Sequence, residues 1–250
     1  MKLIILSDVH ANWPALEAVL GAEPEFDAVV FCGDIVGFGP CPVECVRWLL
    51  ANAHYAVRGN HDNAIVSNQD CRCQGTFREL GCVTRAWHRT LLGEPERTFL
   101  CGLPGLNWFE WQGRHFRVAH ATPFGGLFDY VPLDDWNGRV RELAEDFVLL
   151  GHSRVQGVRR FGAPTVVNPG SVGLARDYPG QACYAVFADD RVTLKRTPYD
   201  VDRVVRLLSQ APLDEWVFDG LVDLFTGSAE AQETRRIGNG MAGSGLSSGN

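Results

Sequence analysis

The chain has 250 residues, which is enough for one domain with a substantial hydrophobic core. Hydrophobic residues make up 46% of the chain and charged residues 21%, values that are ordinary for a globular protein. The formal net charge of −7 argues against an extended nucleic-acid interface, because such interfaces rely on clustered Lys and Arg. Small anionic ligands remain compatible with this charge if bound metal ions supply local positive charge.

The N-terminal residues and the lack of long apolar runs indicate the cellular compartment in which the protein is expected. No apolar run approaches the roughly 20 residues that a membrane-spanning helix needs. Met1 and Lys2 lead directly into the apolar run Leu3–Leu6, which predicts a strand and leaves no room for a signal peptide. We therefore expect a cytoplasmic protein that does not associate with membranes.

The chain contains eight cysteines. In a cytoplasmic protein their thiols are expected to be reduced, and small buried side chains of this kind suit apolar surroundings. A structural zinc site is an alternative use for four residues, although their spacing fits no standard zinc motif. Those four residues are Cys71, Cys73, Cys82 and His88.

Short apolar strands alternate with helices in the first part of the chain. Apolar runs predict strands at Leu3–Leu6, Ala28–Phe31 and Ala53–Val57. Helical spacing of apolar residues predicts one helix after Trp13-Pro14 and another over Pro42–Leu50. Because strands and helices alternate with short links, a largely parallel sheet is expected.

Residues 63 to 95 do not continue this alternation of strands and helices. They are predicted to form a polar, Cys-containing loop followed by a helix through Leu80 and Leu91, and the segment is placed to act as a cap or lid. From Leu106 onward strands dominate, interrupted by a predicted helix around Asp134–Glu145. The later predicted strands are Asn107–Trp111, Phe116–Ala119, Phe147–Leu150, Thr165–Asn168, Ala182–Phe187 and Val192–Arg196.

These elements predict an α/β protein with one domain over residues 1–225. Two groups of strands separated by helices favour two packed sheets with helices outside. Amphipathic helices within residues 201–224 are expected to close the domain. Residues 226–250 are rich in Gly, Ser and polar side chains, and we expect a flexible tail there.

Four short polar strings each follow a predicted strand. Loops at the carboxyl ends of parallel strands are where open α/β folds bind ligands. The strings carry carboxylates, imidazoles and one carboxamide, all of which bind divalent metal ions. Taken singly, each string is better explained as a turn or a helix cap than as a metal site. The strings are Asp8-Val9-His10, Gly33-Asp34, Gly59-Asn60-His61-Asp62 and Gly151-His152.

In their order along the chain, the strings resemble the signature of the calcineurin-like metallophosphoesterases. A further His120 after a strand and the later string Asn168-Pro169-Gly170-Ser171-Val172 extend the resemblance. It covers about residues 1 to 200 and is greatest to the small phosphodiesterases of bacteria and archaea. The resemblance implies a four-layer α/β/β/α sandwich, in which two packed mixed sheets are flanked by helices.

The resemblance also implies two divalent metal ions. Asp34 resembles the carboxylate that bridges them. Asp8 and His10 would complete the first site, whereas the second site would contain Asn60, His120 and His152. Mn²⁺ is the expected metal, and Fe, Zn²⁺, Co²⁺ and Ni²⁺ also suit imidazole and carboxylate ligands.

The implied chemistry is hydrolysis of a phosphate ester by a hydroxide that bridges the two metals. His61 resembles the general acid that protonates the leaving group, and Asp62 could orient His61 or sustain its charge. In the alternative interpretation, His61 binds phosphate only as a cation.

Position 154 departs from the family pattern. The family usually has Gly-His-x-His where this chain has Gly151-His152-Ser153-Arg154, and guanidinium cannot ligate a cation. We therefore predict weak or selective loading of the first site, whose three remaining ligands resemble those of the serine/threonine phosphatase branch. Alternatively, Arg154 binds the substrate phosphate through its planar fork.

Two further residues are candidates for substrate contact. Asn12 could contact phosphate or cap a helix. Arg58 could contact phosphate or form a surface ion pair.

The sequence thus predicts a metal-dependent phosphoesterase with a small phosphodiester or phosphomonoester substrate. Phosphoprotein phosphatase activity is one alternative, encouraged by the three-ligand first site. A non-catalytic scaffold is another, because the retromer subunit of the same family uses this fold in protein assembly. A scaffold, however, has no need for the full set of candidate ligands.

Overall fold

The structure, a computed structural model, describes residues 1–73, 75–136 and 138–227. Within them, two mixed five-stranded sheets pack together and are flanked by helices, as the sequence predicted. The flexible tail predicted for residues 226–250 lies, from residue 228 onward, outside the described residues.

The first sheet joins three parallel strands to an antiparallel hairpin. The strand that begins the chain lies at its centre and pairs with one parallel and one antiparallel neighbour. In spatial order the strands are β10 (Arg191–Pro198), β9 (Gln181–Ala188), β1 (Leu3–Leu6), β2 (Ala28–Phe31) and β3 (Ala53–Ala56).

The second sheet has three parallel strands with an antiparallel strand at each edge. Its short edge strand Gly157–Arg160 was not predicted, because two of its four residues are exposed arginines and no apolar run marks it. In spatial order the strands are β4 (Leu106–Trp111), β5 (Arg114–Ala119), β6 (Phe147–Leu149), β8 (Thr165–Asn168) and β7 (Gly157–Arg160).

Seven α-helices are described. Three of them have Pro in the first turn, where the missing N–H costs no helical hydrogen bond. They are α1 (Trp13–Ala22), α2 (Pro42–Asn52), α3 (Asn60–Ser67), α4 (Thr76–Leu91), α5 (Glu94–Gly102), α6 (Val201–Leu208) and α7 (Glu215–Thr226).

Alternation along the strands divides the core into layers. Leu3 and Ile5 of β1 face the second sheet and join a buried cluster that includes Phe116. Ile4 and Leu6 face the opposite way, into a cluster with residues of α1 and α2. Both faces of β1 are therefore buried, which explains its uninterrupted apolar sequence.

The helix predicted over Asp134–Glu145 is wrong. A 3₁₀ turn spans Leu133–Trp136, and the described residues that follow form turns. Gly138 has φ = 84°, a left-handed conformation that a continuing α-helix does not allow. Trp136 and Val140 nevertheless pack against the outer face of the second sheet, so this segment covers that face in place of a helix.

The segment predicted as a cap or lid contains more helix than expected. The helix α3 begins at Asn60, and α4 is followed by the unpredicted helix α5. Leu80 of α4 packs with Leu221 of α7, so this part of the segment is anchored by the closing helices. Its role as a lid stays a prediction. Among the described helices, none has the length and apolar character needed to cross a membrane.

Candidate metal centre

The polar strings converge at the carboxyl ends of strands from both sheets. Each candidate ligand lies at or just beyond the end of β1, β2, β3, β5 or β6. All of them are buried except His152, which is half-buried. The structure therefore brings together every predicted ligand, namely Asp8, His10, Asp34, Asn60, His120 and His152.

Left-handed backbone is concentrated in these loops. Asp8, His10, Asp34 and His152 have φ values of 52°, 49°, 64° and 62°, a region that residues other than glycine rarely adopt. Such conformations persist only where the surrounding structure enforces them, and they cluster at functional sites.

Asp8 and His10 each direct one unpartnered atom into the centre. Asp8 Oδ2 accepts hydrogen bonds from Ser7 Oγ and from the backbone N–H of His152. His10 Nδ1 lies 3.2 Å from the carbonyl oxygen of Val36 and must donate to it, because a carbonyl can only accept. Among the described residues, Asp8 Oδ1 and His10 Nε2 have no hydrogen-bond partner although both are buried.

Those two atoms face each other at 3.5 Å, which is within ion-pair distance but outside hydrogen-bond geometry. Burying a polar atom without a partner costs about 1–3 kcal/mol, so such pairs are rare unless something else binds them. A carboxylate oxygen and an imidazole nitrogen with free lone pairs fit a divalent cation.

His120 resembles His10 in that one ring nitrogen donates to a carbonyl oxygen and the other faces candidate ligand atoms. Its Nδ1 donates to the carbonyl oxygen of Cys32 at 2.8 Å. Its Nε2 lies 3.2 Å from Asp34 Oδ2 and 3.0 Å from Asn60 Oδ1, and both oxygens are acceptors. A proton or a metal ion must therefore lie among these three atoms.

Asn60 and His152 complete this second group. Asn60 Nδ2 donates to the carbonyl oxygen of Cys71, which directs Oδ1 into the site. His152 Nδ1 lies 3.1 Å from Asn60 Oδ1. Ligand atoms of Asp34, His120 and His152 lie within 4.8 Å of one another, as do those of His10, Asp34 and His61. Asp34 is thus common to two adjacent groups that could each hold a metal ion.

The electrostatics of the centre suit the binding of a cation. Burial alone would raise the pKa of Asp34, but the His120 and His61 rings outweigh it and hold that pKa below its usual range. Burial alone would lower the pKa of His120, but Asp34 raises it to about 9. The His120 proton supplies the positive charge that a metal ion would supply, so metal binding should displace it.

His61 lies at the centre. Among the described residues, its ring forms no hydrogen bond with Asp62. Its backbone N–H donates to Asp34 Oδ1 at 2.8 Å, and its ring packs 5.0 Å from the His10 ring. Nε2 lies 3.2 Å from Cys73 Sγ. Burial lowers the pKa of His61 to about 3, so the imidazole is neutral near pH 7 in the protein alone.

The expected role of Asp62 in orienting His61 is therefore not supported by the geometry. Asp62 instead accepts hydrogen bonds from backbone N–H groups of the loop after β2 and from Gly59. It is the third residue of α3, where a carboxylate suits the helix N-terminus, and this position points its side chain at the loop.

Arg154 is buried next to a second arginine. The Arg154 guanidinium stacks on the ring of Phe77, 5.0 Å from its centroid, and Arg176 lies 5.8 Å from the same centroid. Arg154 Nη1 and Arg176 Nε are buried and have no hydrogen-bond partner among the described residues. Burial and the charge of Arg176 lower the pKa of Arg154 to about 10.

Two adjacent guanidinium groups with free N–H donors form a site suited to an anion. Sequence reasoning missed Arg176. The only signal available was its place shortly after the Asn168-Pro169-Gly170-Ser171-Val172 string.

The other two substrate candidates have different surroundings. Asn12 caps α1, since its Oδ1 accepts from Ala15 N at 3.1 Å while its Nδ2 donates to Gly173 O at 2.8 Å. Both polar atoms are thus engaged, which matches the capping alternative. Arg58 has a buried Nε without a partner, and the described residues include no acid paired with it.

The zinc site proposed from Cys71, Cys73, Cys82 and His88 is not formed. Both ring nitrogens of His88 are engaged, because Nδ1 accepts from Gly37 N and Nε2 donates to Gly39 O. His88 therefore supports the loop after β2 and has no lone pair left for zinc. Cys71 and Cys73 do lie together, but with His61.

Glycine is required where the loops meet. A Cβ at Gly59 would collide with the Asp34 carboxylate, and one at Gly151 would collide with Ser7 Oγ. The glycines in the predicted strings thus allow ligand-bearing loops to approach one another.

Comparison with known proteins identifies the family of this chain. The family model of the calcineurin-like phosphoesterase superfamily domain matches residues 1–190, and the chain belongs to this superfamily. The family inferred from the motifs is therefore confirmed.

Particular relatives match over most of their length. Uncharacterized protein MJ0912 of Methanocaldococcus jannaschii is 27% identical over 239 residues, covering 88% of this chain and 96% of that protein. A metallophosphoesterase from Sphaerobacter thermophilus superposes with a TM-score of 0.74 at 28% identity, covering 91% of this chain and 99% of that one. The hypothetical protein PH1004 of Pyrococcus horikoshii OT3 has a TM-score of 0.74 at 20% identity, covering 91% and 98%.

Proposed function

We propose that this protein is a metal-dependent phosphoesterase that hydrolyses a small phosphodiester or phosphomonoester. The observation that carries the proposal is the buried pair Asp8 Oδ1 and His10 Nε2, neither of which has a hydrogen-bond partner among the described residues, together with the grouping of His10 with the Asp34 carboxylate. The similarity to the Sphaerobacter thermophilus metallophosphoesterase supports it.

The metal ligands are divided between two sites in this proposal. Asp8 and His10 would hold the first ion, Asn60, His120 and His152 would hold the second, and Asp34 would serve both sites. The first ion has fewer protein ligands because Arg154 stands where the family usually has histidine. When bound, the ions would supply Lewis acidity to the phosphoryl group and an activated water nucleophile.

The protein's own residues bind the phosphate and handle the proton. Arg154 and Arg176 donate hydrogen bonds to phosphoryl oxygens, since both carry free N–H groups near the centre. His61 gives a proton from Nε2 to the leaving oxygen. Its ring is neutral in the protein alone, and the negative charge of a bound phosphate favours protonation of the ring.

The test is metal analysis followed by activity assays on purified protein. Protein stripped with a chelator is reloaded with Mn²⁺ and given bis-p-nitrophenyl phosphate, p-nitrophenyl phosphate and a phosphopeptide. Metal-dependent turnover of a small ester, lost in Asp34→Asn, is expected. Turnover confined to the phosphopeptide would favour a phosphoprotein phosphatase, and no turnover with any metal would favour a non-catalytic scaffold.

A further inference from the structure

Three donor side chains meet beside the metal centre: two cysteines that belong to neither group of ligands around Asp34, and His61, which is also grouped with His10 and Asp34. Cys71 Sγ and Cys73 Sγ lie 3.1 Å apart, and Cys73 Sγ lies 3.2 Å from His61 Nε2. Ligand atoms of all three side chains lie within 4.8 Å of one another. Two thiols and an imidazole at this separation form a donor set typical of zinc.

The fold holds the two cysteines in different ways. Cys71 is buried, and its carbonyl oxygen accepts the hydrogen bond from Asn60 Nδ2, so the segment is tied to a residue of the main centre. Gly81 of α4 leaves room for the sulfur, because a Cβ there would lie only 3.1 Å from Cys71 Sγ. Cys73 is half-buried, which leaves one side of the cluster open to ions from solvent.

We propose that Cys71, Cys73 and His61 form an additional zinc site, and that zinc bound there inhibits hydrolysis by occupying His61 Nε2. The inhibitory part rests on the proposed function, whereas the binding part does not. Binding releases one proton from each thiol, so that two thiolates and a neutral imidazole hold Zn²⁺ without residual charge. A fourth position stays open to solvent or to a substrate oxygen.

The chemistry separates this cluster from the main centre. The main centre offers oxygen and nitrogen ligands, which suit harder ions such as Mn²⁺, whereas thiolates select Zn²⁺. With Zn–S bonds of about 2.3 Å, tetrahedral zinc holds two sulfurs about 3.8 Å apart. The sulfurs, 3.1 Å apart, therefore need to separate by about 0.7 Å, which the half-buried Cys73 allows.

Cobalt substitution tests the binding part directly. Reduced protein whose main centre has been filled with Mn²⁺ is titrated with Co²⁺, and the near-ultraviolet absorption is followed. Thiolate ligands give a sulfur-to-cobalt charge-transfer band, but oxygen and imidazole ligands do not. We expect this band in the wild type, its loss on adding Zn²⁺, and about one more zinc per chain than in the variant lacking both thiols.

The matched variants are Cys71→Ser/Cys73→Ser and Cys82→Ser. The double variant should lose the band, and Cys82→Ser should keep it, because Cys82 lies outside the cluster. Cys73→Ser alone serves as a second test, since it changes a half-buried position and preserves folding better. A wild type without the band, or a double variant that retains it, would overturn the proposal.

Inhibition is measured on the same proteins. One equivalent of Zn²⁺ per chain added to the Mn²⁺-loaded wild type should lower kcat about tenfold, and the double variant should keep its activity. Equal inhibition of the wild type and the double variant by Zn²⁺ would overturn the proposal that zinc at this site inhibits hydrolysis. If the band appears but no protein hydrolyses any ester, the proposed function fails while the zinc site stands.

Discussion

Asp62 Oδ2 accepts a hydrogen bond from the backbone N–H of Asp34 at 2.8 Å. The same oxygen accepts from Gly59 N at 2.9 Å, and Oδ1 accepts from Ile35 N and Val36 N. One buried carboxylate thus ties the loop that carries the shared ligand to the start of α3. Its function is to hold the centre in place.

The first prediction follows from these four hydrogen bonds. Asp62→Ala leaves four buried donors without an acceptor, and we expect it to lower the free energy of unfolding by about 4 kcal/mol. Urea unfolding of metal-free protein measures the loss. Asp62→Asn should lose less, because its amide oxygen can still accept, and Asp70→Ala on an exposed ion pair should lose under about 1 kcal/mol. An Asp62→Ala variant as stable as Asp70→Ala would contradict the role.

A second prediction concerns an ion-pair cluster far from the centre. Glu23 is buried and accepts from Lys2 Nζ at 2.7 Å and from Lys195 Nζ, which links α1 to β10. Burial alone would raise the pKa of Glu23, but the two lysines outweigh it and hold the pKa below its ordinary value of 4.5. The cluster should therefore stabilise the fold above that pH, and its contribution should be lost as pH falls through the lowered pKa.

Glu23→Gln tests this pH dependence. At pH 7 the variant should be about 1–2 kcal/mol less stable than the wild type, because the lysines are partly exposed and solvent weakens the pairs. As the pH falls through the lowered pKa of Glu23 the difference should shrink towards zero, since the wild-type carboxyl then becomes protonated. Glu25→Gln, at a neighbouring exposed position, is the control. A difference that does not depend on pH would contradict the prediction.

How far the sequence predicts this structure depends on the type of signal. The strand β1 and the ligand string after it are predictable, because a buried strand needs an apolar run and the metal needs polar residues at its end. The Cys73–His61 contact is not, because residues 68–73 have no periodicity and their position depends on the hydrogen bond from Asn60 to Cys71. The wrongly predicted helix after Leu133 shows that one left-handed glycine overrides local propensity.

A third prediction distinguishes proton donation by His61 from phosphate binding by His61. His61→Ala should retain the Mn²⁺ content of the wild type and lose about 10²–10⁴-fold in kcat on esters with poor leaving groups. The loss should be much smaller for p-nitrophenyl esters, whose leaving group departs without a proton. Rates for a series of esters of increasing leaving-group pKa measure the effect, and His115→Ala, which is exposed, is the control. An equal loss for all esters would instead support phosphate binding by His61.

A fourth prediction concerns the paired arginines. Arg154→Ala should raise KM about 10- to 100-fold with little change in kcat, because it removes charged hydrogen bonds to the bound phosphate. The variant should be as stable as the wild type or more so, since the wild type buries a charge whose Nη1 has no hydrogen-bond partner among the described residues. Steady-state kinetics and urea unfolding check the two parts, with the exposed Arg159→Ala as control. An unchanged KM would contradict the role.

The last prediction concerns metal affinity at the first site. Arg154 keeps a positive charge near Asp8 and Asp34, as its electrostatic interactions with both show, and this charge opposes a cation held by the same carboxylates. Arg154→His removes the charge and adds a possible imidazole ligand, so we expect the first ion to bind about tenfold more tightly. Calorimetric titration of chelator-treated protein with Mn²⁺ should show this at one of two sites, because the second site's ligands are unchanged. Arg154→Ala removes the charge without adding a ligand. It should give part of the gain in Mn²⁺ affinity if the charge weakens binding, and no gain if only the added imidazole strengthens it. Unchanged affinity and stoichiometry in Arg154→His would show that the arginine at this position does not set metal loading.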